Sequence, residues 1–164
     1  MKDYELKVLA SIDKMLVSCS SCPGWHSLRQ PEYRTALVMA ACHESWLGKV
    51  NKQIKGPALS AFMIEPATWR DLQVSVIQPN KYLRRLQAAL FGPVSPDMLL
   101  KSTDYAAFCA CLCIGRYRKV APMPKDPAKI AAWLKRRYNS AGGKATAQEY
   151  LRDYNRLYAN RTDK

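Results

Sequence analysis

One glutamate in a helix-forming segment offers the clearest chemistry in this chain. The segment PEYRTALVMAACHESWL covers about residues 31 to 47. It is predicted to be helical because Pro31 suits a first helical turn and Gly48 can end a helix. One face of this helix carries residues at i, i+3, i+4, i+7 and i+10: Leu37, Ala40, Ala41, Glu44 and Leu47. Glu44 is therefore predicted to be a carboxylate on the inward, apolar face.

A carboxyl group on such a face can act as a general acid. Loss of solvation disfavours the charged form, so the pKa of Glu44 should rise toward the range that proton donation near neutral pH requires. The alternative is a structural carboxylate that a nearby Lys or Arg neutralises. The spacing leaves both interpretations open.

Other reactive residues give weaker patterns. Cys19-Ser-Ser-Cys22 with His26 could be half of a metal or redox site, but no second CxxC and no paired histidines follow. The six cysteines are expected to be reduced and packed, and we expect no metal and no cofactor. His43 and Ser45 do not make a nucleophilic triad, since neighbouring helical positions do not face each other.

Length and composition predict a single globular domain over residues 1–164, with 48% hydrophobic and 24% charged residues. The net charge of +13 favours contact with polyanions, namely nucleic acid, anionic lipid or the anionic polymers of a bacterial envelope. The chain start lacks the apolar core of a signal peptide, and no apolar run is long enough for a membrane span. We expect a soluble protein without a Sec-type signal.

The fold class is predicted to be all-α, with about seven or eight helices. Apolar spacing and breakers place helices at about 3–17, 31–47, 66–76, 79–90, 96–100, 104–119, 128–139 and 146–158. Thr103, Asp126 and Thr146 are the expected N-caps of the last three helices, and Thr146 with Glu149 fits a capping box. The helix that follows Thr103 is apolar nearly all round until Arg116, so it should run through the middle of the domain.

Two segments carry a family resemblance. Glu44-Ser45 ends a core helix, and Gly56 to Glu65, GPALSAFMIE, is similar to the pattern GPARGxWQxE. The later pieces RYRKVAPMPKD and RRYNSAGGKAT also look like segments of the phage members of the same family. Over nearly its whole length the chain resembles the lysozyme-like lytic transglycosylases, especially the small peptidoglycan-degrading proteins of phages and prophages.

The resemblance implies a lysozyme-like domain with a substrate cleft. It implies cleavage of the β-1,4 bond between N-acetylmuramic acid and N-acetylglucosamine, with Glu44 as the single catalytic acid and base. The residues expected to bind or support the glycan are Ser45, Ser60, Phe62, Met63, Glu65 and Tyr117. Ser45 is interpreted as a hydrogen-bonding support for Glu44, and Trp46, Phe62 and Tyr117 as the apolar lining around it.

Several of these residues keep a second interpretation. Tyr117 contacts either sugar or the core, while Tyr138 and Asn139 are expected only to pack. Glu65 either complements the dipole of the helix that begins at Pro66 or lies across the cleft. Across the cleft it could activate water for inverting hydrolysis; otherwise the sugar's own 6-hydroxyl attacks and gives a 1,6-anhydro product.

The chain departs from the family pattern at two positions. Ser60 stands where the family has Gly, and Met63 stands where it has a Gln that hydrogen-bonds the sugar. Because a thioether donates no hydrogen bond, a second hypothesis is a virion or assembly protein that binds glycan without cleaving it. A third, a basic helical nucleic-acid-binding protein, lacks a recognition-helix or zinc-finger pattern.

The expected partners are peptidoglycan strands and other virion proteins, with no specific nucleic acid and no membrane span. The protein is expected in the virion, or in the host cytoplasm before release, and to act on the cell wall in the periplasm.

Overall fold

Helices account for nearly all of the regular backbone in the computed structural model, which describes residues 1–53, 56–139 and 144–162. The α-helices of four or more residues are α1 Asp3–Ser20, α2 Pro31–Ser45, α3 Pro66–Asp71, α4 Lys81–Phe91, α5 Met98–Lys101, α6 Thr103–Gly115, α7 Pro127–Arg137 and α8 Ala147–Tyr154. These described residues contain no strand, only two isolated bridges, Lys52 to Leu59 and Leu59 to Ile64. The all-α prediction and the expected number of helices are confirmed.

Other helical segments continue or connect these α-helices. A 3-10 helix covers His26–Arg29, α3 continues into the π-helical segment Leu72–Ile77, and α8 continues into the π-helical segment Asn155–Ala159. A last turn, α9, covers Asn160–Thr162. The predicted helices at 66–76 and 146–158 are therefore present, but each changes its hydrogen-bonding pattern partway along.

Helix α6 is the centre of the domain. Every residue from Tyr105 to Gly115 is buried, as its unbroken apolar sequence predicts. Helix α1 packs along it, and Ser11 Oγ on α1 donates a 2.6 Å hydrogen bond to Asp104 Oδ1 at the start of α6. α2 and α5 also contact α6, so the helices that carry the candidate site share one core.

The end of α2 differs from the prediction. We expected the helix to continue to residue 47, but it ends at Ser45 because Trp46 and Leu47 take left-handed conformations with φ of 53° and 57°. Gly48 follows with φ of 89°, and a Cβ placed there would lie 2.6 Å from Val8 Cγ2 on α1. The turn therefore needs glycine both for its backbone conformation and for its close approach to α1.

Two of the three predicted N-caps are confirmed. Asp126 Oδ1 accepts from the Lys129 amide at 3.0 Å, and Thr146 and Glu149 form the expected capping box. The cap of α6 is Ser102, whose Oγ accepts from the Tyr105 amide at 3.1 Å, and not Thr103. Thr103 lies inside the first turn, one residue too late to serve as the cap.

Helix α4 buries less of its apolar row than expected. Tyr82, Leu83, Leu86 and Leu90 were predicted to face inward, but only Leu83 is fully buried. Tyr82 and Leu90 are each 40% exposed. α4 contacts α1, the Leu72–Ile77 segment and, through the Phe91 ring, Tyr105 and Phe108 on α6, and these contacts leave Tyr82 and Leu90 partly exposed.

All six cysteines are free thiols with buried side chains, which confirms the prediction that they are reduced and packed. His26, which was considered as a ligand together with Cys19 and Cys22, instead places its Nδ1 2.9 Å from the Ser20 carbonyl oxygen. Among the described residues, no group of three or more His, Cys, Asp or Glu side chains could hold a metal ion. Over the same residues, no helix is long and apolar enough to cross a bilayer.

The N-cap of α7 gives a stability prediction. Asp126→Ala should lower the free energy of unfolding by about 1 kcal/mol, because the Lys129 amide loses its side-chain acceptor. Urea denaturation measures this loss. Asp97→Ala is the matched control, since Asp97 precedes α5 without a side-chain cap bond and should change stability far less. An equal loss of unfolding free energy in the two variants would contradict the assignment of Asp126 as the N-cap of α7.

Candidate functional site

A cavity of about 760 Å³ lies beside the C-terminal end of α2. Its walls come from the end of α2, the segment 58–65, the start of α3, the end of α6 and the end of α7. Glu44 lines it, half-buried, at the next-to-last position of α2. The predicted buried-face carboxyl is therefore inside a cavity that a ligand can enter.

A tyrosine from another helix holds the Glu44 carboxyl. Tyr150 is buried on α8, and its hydroxyl donates a 2.6 Å hydrogen bond to Glu44 Oε1. Asn139 Nδ2 in turn donates to the Tyr150 hydroxyl at 3.3 Å. The preceding residue, His43, packs its ring on the Tyr150 ring, with centres 4.2 Å apart, and its Nδ1 lies 2.9 Å from Asp153 Oδ2. His43 is thus paired with Asp153. This fits the expectation that His43 and Ser45 do not face each other.

Burial raises the pKa of Glu44 above its ordinary value of 4.5. The hydrogen bond from Tyr150 and the charge of His43 act in the opposite direction with smaller effect. Burial also raises the pKa of the Tyr150 hydroxyl, which therefore keeps its proton and remains a donor. In the part of the chain that the structure describes, no Lys or Arg forms an ion pair with Glu44. The alternative interpretation, a structural carboxylate neutralised by a Lys or Arg, therefore finds no such cation among these residues.

A tight turn forms the wall opposite α2. Leu59 and Ile64 exchange two backbone hydrogen bonds of 3.0 and 2.8 Å across it. Ser60 and Met63 have left-handed conformations with φ of 75° and 47°, which non-glycine residues adopt at a cost. The Tyr138 hydroxyl after α7 donates a 2.7 Å hydrogen bond to the Phe62 carbonyl and so fixes the turn to α7.

Three of the predicted glycan-contacting residues line the cavity beside Glu44. They are Met63, Glu65 and Tyr117. Glu65 is exposed and immediately precedes α3 without capping it through its side chain, so the dipole interpretation and the cleft interpretation both stay predictions.

The other three residues are placed differently and their interpretation is corrected. Ser45, Ser60 and Phe62 are buried and do not line the cavity. Ser45 Oγ donates to the Ala41 carbonyl at 2.9 Å and accepts from the Gly48 amide at 2.8 Å, so it stabilises the turn after α2 instead of supporting Glu44. Ser60 Oγ accepts from the Phe62 amide at 3.2 Å, inside the turn.

Trp46 also lies outside the expected lining. Its left-handed backbone turns the ring away from the cavity, and it is 50% exposed. Lys49 Nζ lies 5.1 Å from the ring centre. The apolar surroundings of Glu44 therefore do not include this tryptophan.

The remaining wall carries residues that sequence reasoning missed. Tyr138 and Asn139, which were expected only to pack, line the cavity. Tyr150 was not singled out at all. A buried tyrosine needs a partner for its hydroxyl, which is a signal that Tyr150 bonds to something, but α8 alone does not identify Glu44 as that partner.

The raised pKa of Glu44 predicts a pH-dependent cost in stability. A carboxyl whose pKa is higher in the folded than in the unfolded protein contributes most to stability when the pH is below its unfolded-state pKa. This contribution is lost as the pH rises through its folded-state pKa. Glu44→Gln keeps an acceptor for Tyr150 and has no charge to desolvate. The variant should therefore have a higher melting temperature than wild type at pH 8, and this difference should shrink at pH 4.

Thermal unfolding at both pH values measures the effect. Glu65→Gln is the matched control, because it also removes one carboxylate but from a side chain that is exposed to solvent. A Glu44→Gln variant less stable than wild type at pH 8 would contradict the desolvation argument.

Comparison with protein-family models, with curated protein sequences and with solved structures finds no match to this chain.

Proposed function

We propose that this protein is a lysozyme-like lytic transglycosylase that cleaves the β-1,4 bond between N-acetylmuramic acid and N-acetylglucosamine in peptidoglycan. One observation carries the proposal. The Glu44 carboxyl lines a cavity, has its pKa raised by burial and accepts a 2.6 Å hydrogen bond from a neutral tyrosine. These are the properties of a general acid.

In the first step, protonated Glu44 donates its proton to the glycosidic oxygen. The bond to the muramic acid C1 breaks with oxocarbenium character, and the N-acetylglucosamine leaves with the proton on its new hydroxyl. Because Tyr150 occupies Oε1, the proton to be transferred resides on the other oxygen, Oε2. Tyr150 thereby sets which oxygen faces the bond.

In the second step, the Glu44 carboxylate accepts a proton from the muramic acid 6-hydroxyl while that oxygen bonds to C1. The product is a 1,6-anhydro ring, and Glu44 is again protonated. No second carboxylate is required. The alternative, in which Glu65 activates water for inverting hydrolysis, needs the two carboxyl groups about 6.5–9.5 Å apart on opposite sides of the bond.

The remaining parts of the proposal follow from the same function. The domain over residues 1–164 has a lysozyme-like arrangement, with the cavity as its glycan cleft. The net charge of +13 holds the protein to the anionic cell envelope. Its place of action is the cell wall, where a phage-encoded protein arrives from the virion or from the host cytoplasm.

The direct test compares wild type with Glu44→Gln on purified peptidoglycan. The substitution should lower the rate of turbidity loss by about 10²- to 10⁴-fold, because the proton donor is lost while the Tyr150 bond is kept. Glu65→Gln distinguishes the two routes, since only hydrolysis requires it.

Mass spectrometry of the products completes the test. Transglycosylation leaves muramic ends that are lighter by one water than the hydrolytic ends. Equal clearing by wild type and Glu44→Gln would remove Glu44 from the mechanism.

A specific observation favours a second candidate, a virion or assembly protein that binds glycan without cleaving it. Met63 lines the cavity with Glu44 at the position where the resembled family carries a sugar-binding glutamine. A thioether accepts only weakly and donates nothing, so the glycan loses a fixed contact there.

Met63→Gln tests this candidate. If the missing amide limits an active enzyme, the variant should raise kcat/KM by about tenfold, corresponding to one regained hydrogen bond. Saccharide binding by the wild type, with no product after long incubation and none from Met63→Gln, would favour the binding protein over the enzyme. Met63→Ala is the control, because it removes the thioether without adding a donor.

A further inference from the structure

Charged side chains of both signs line the cavity, and the acidic ones include Glu44 and the exposed Glu65. Asp71 and Arg116 neutralise each other through a 2.6 Å ion pair. On the remaining wall, Arg137 and Lys144 line the cavity, are exposed and make no ion pair with any residue that the structure describes. This wall therefore presents positive charge to whatever occupies the cavity.

Contact with an aromatic ring positions the Arg137 guanidinium. Its central carbon lies 5.4 Å from the centre of the Tyr117 ring, and Arg116 lies 5.8 Å from the same centre. Tyr117 is itself held edge-on against the buried Trp133, with ring centres 5.8 Å apart. A guanidinium resting on a fixed ring loses less freedom when it binds a ligand than an unrestrained one.

The helix dipole alone does not explain why Arg137 lies beside the cavity. α7 ends with Lys135, Arg136 and Arg137, and any of these cations complements the helix dipole. Of these three residues, only Arg137 lines the cavity. Its neighbour Arg136 is exposed and lies outside the cavity lining, so it can serve as a matched comparison.

We propose that Arg137 binds a carboxylate of the glycan and makes the cavity select acidic strands over neutral polymers of N-acetylglucosamine. The inference rests on the proposed function, because it assumes that the cavity holds a glycan. Planar guanidinium groups bind carboxylates through paired hydrogen bonds. In peptidoglycan that carboxylate comes either from the lactyl group of muramic acid or from the attached peptide stem.

Binding is measured by calorimetry on Glu44→Gln protein, which keeps the strands intact. The ligands are soluble peptidoglycan strands with their stems, strands from which an amidase has removed the stems, and each of these with its carboxylates converted to methylamides. Neutral N-acetylglucosamine oligomers are the fifth ligand. The same measurements are made after adding Arg137→Gln and, as the control, Arg136→Gln.

We expect Glu44→Gln protein to bind acidic strands about tenfold more tightly than methylamidated ones, as one charge-assisted contact provides. The difference should shrink at high salt. Adding Arg137→Gln should remove this preference, while Arg136→Gln should keep it. Sensitivity of the stem-free strands to methylamidation identifies the lactyl group as the source, and sensitivity only of the intact strands identifies the stem.

Two results would overturn the inference. One is equal affinity of Glu44→Gln protein for acidic and methylamidated strands. The other is a loss of affinity in Arg137→Gln that is the same for both forms, which would mean that Arg137 only supports Tyr117.

Because binding needs no cleavage, the inference and the proposed function fail separately. A protein that discriminates by charge but never cleaves keeps Arg137 in its role and loses the enzymatic proposal. A protein that cleaves peptidoglycan but binds acidic and methylamidated strands equally keeps the enzymatic proposal and loses the role of Arg137.

Discussion

The candidate site depends on one hydrogen bond, which joins two helices that are far apart in sequence. A carboxyl group removed from water must find a partner, and the choice of partner decides its charge. An arginine beside Glu44 would hold it ionised, whereas the Tyr150 hydroxyl satisfies one oxygen and adds no charge. Helix α8 therefore does more than cover α2, because it supplies a neutral hydrogen-bond donor to a carboxyl whose pKa is raised by burial.

The helices were largely predictable because each carries its own apolar spacing and end signals. The central, buried position of α6 and the Asp126 cap were identified correctly from local sequence, whereas α6 begins after Ser102 and ends at Gly115, four residues before the expected end. What could not be predicted is how completely a neighbour covers each face. The exposed Tyr82 and Leu90 show this, since periodicity defines a face of α4 but not the width of what packs on it.

Placement of the candidate site was predictable only in part. The spacing on α2 brought Glu44 to the inward face, and its cavity lies where that face meets the segment 58–65. Within that segment, left-handed backbone at Ser60 and Met63 reverses the chain and decides which side chains are buried. Neither this reversal nor the approach of Tyr150 has a local signature, because both depend on contacts between distant segments.

The burial of all six thiols has a consequence for where the chain can work. Thiolates are the species that form disulfides, and burial raises the pKa of Cys42 and Cys113 to about 12, so little thiolate forms in the folded protein. Cys113 is the thiol that a small oxidant can approach, because it lines the cavity. The described core is therefore held by packing without any disulfide bond, and its stability does not depend on an oxidising compartment.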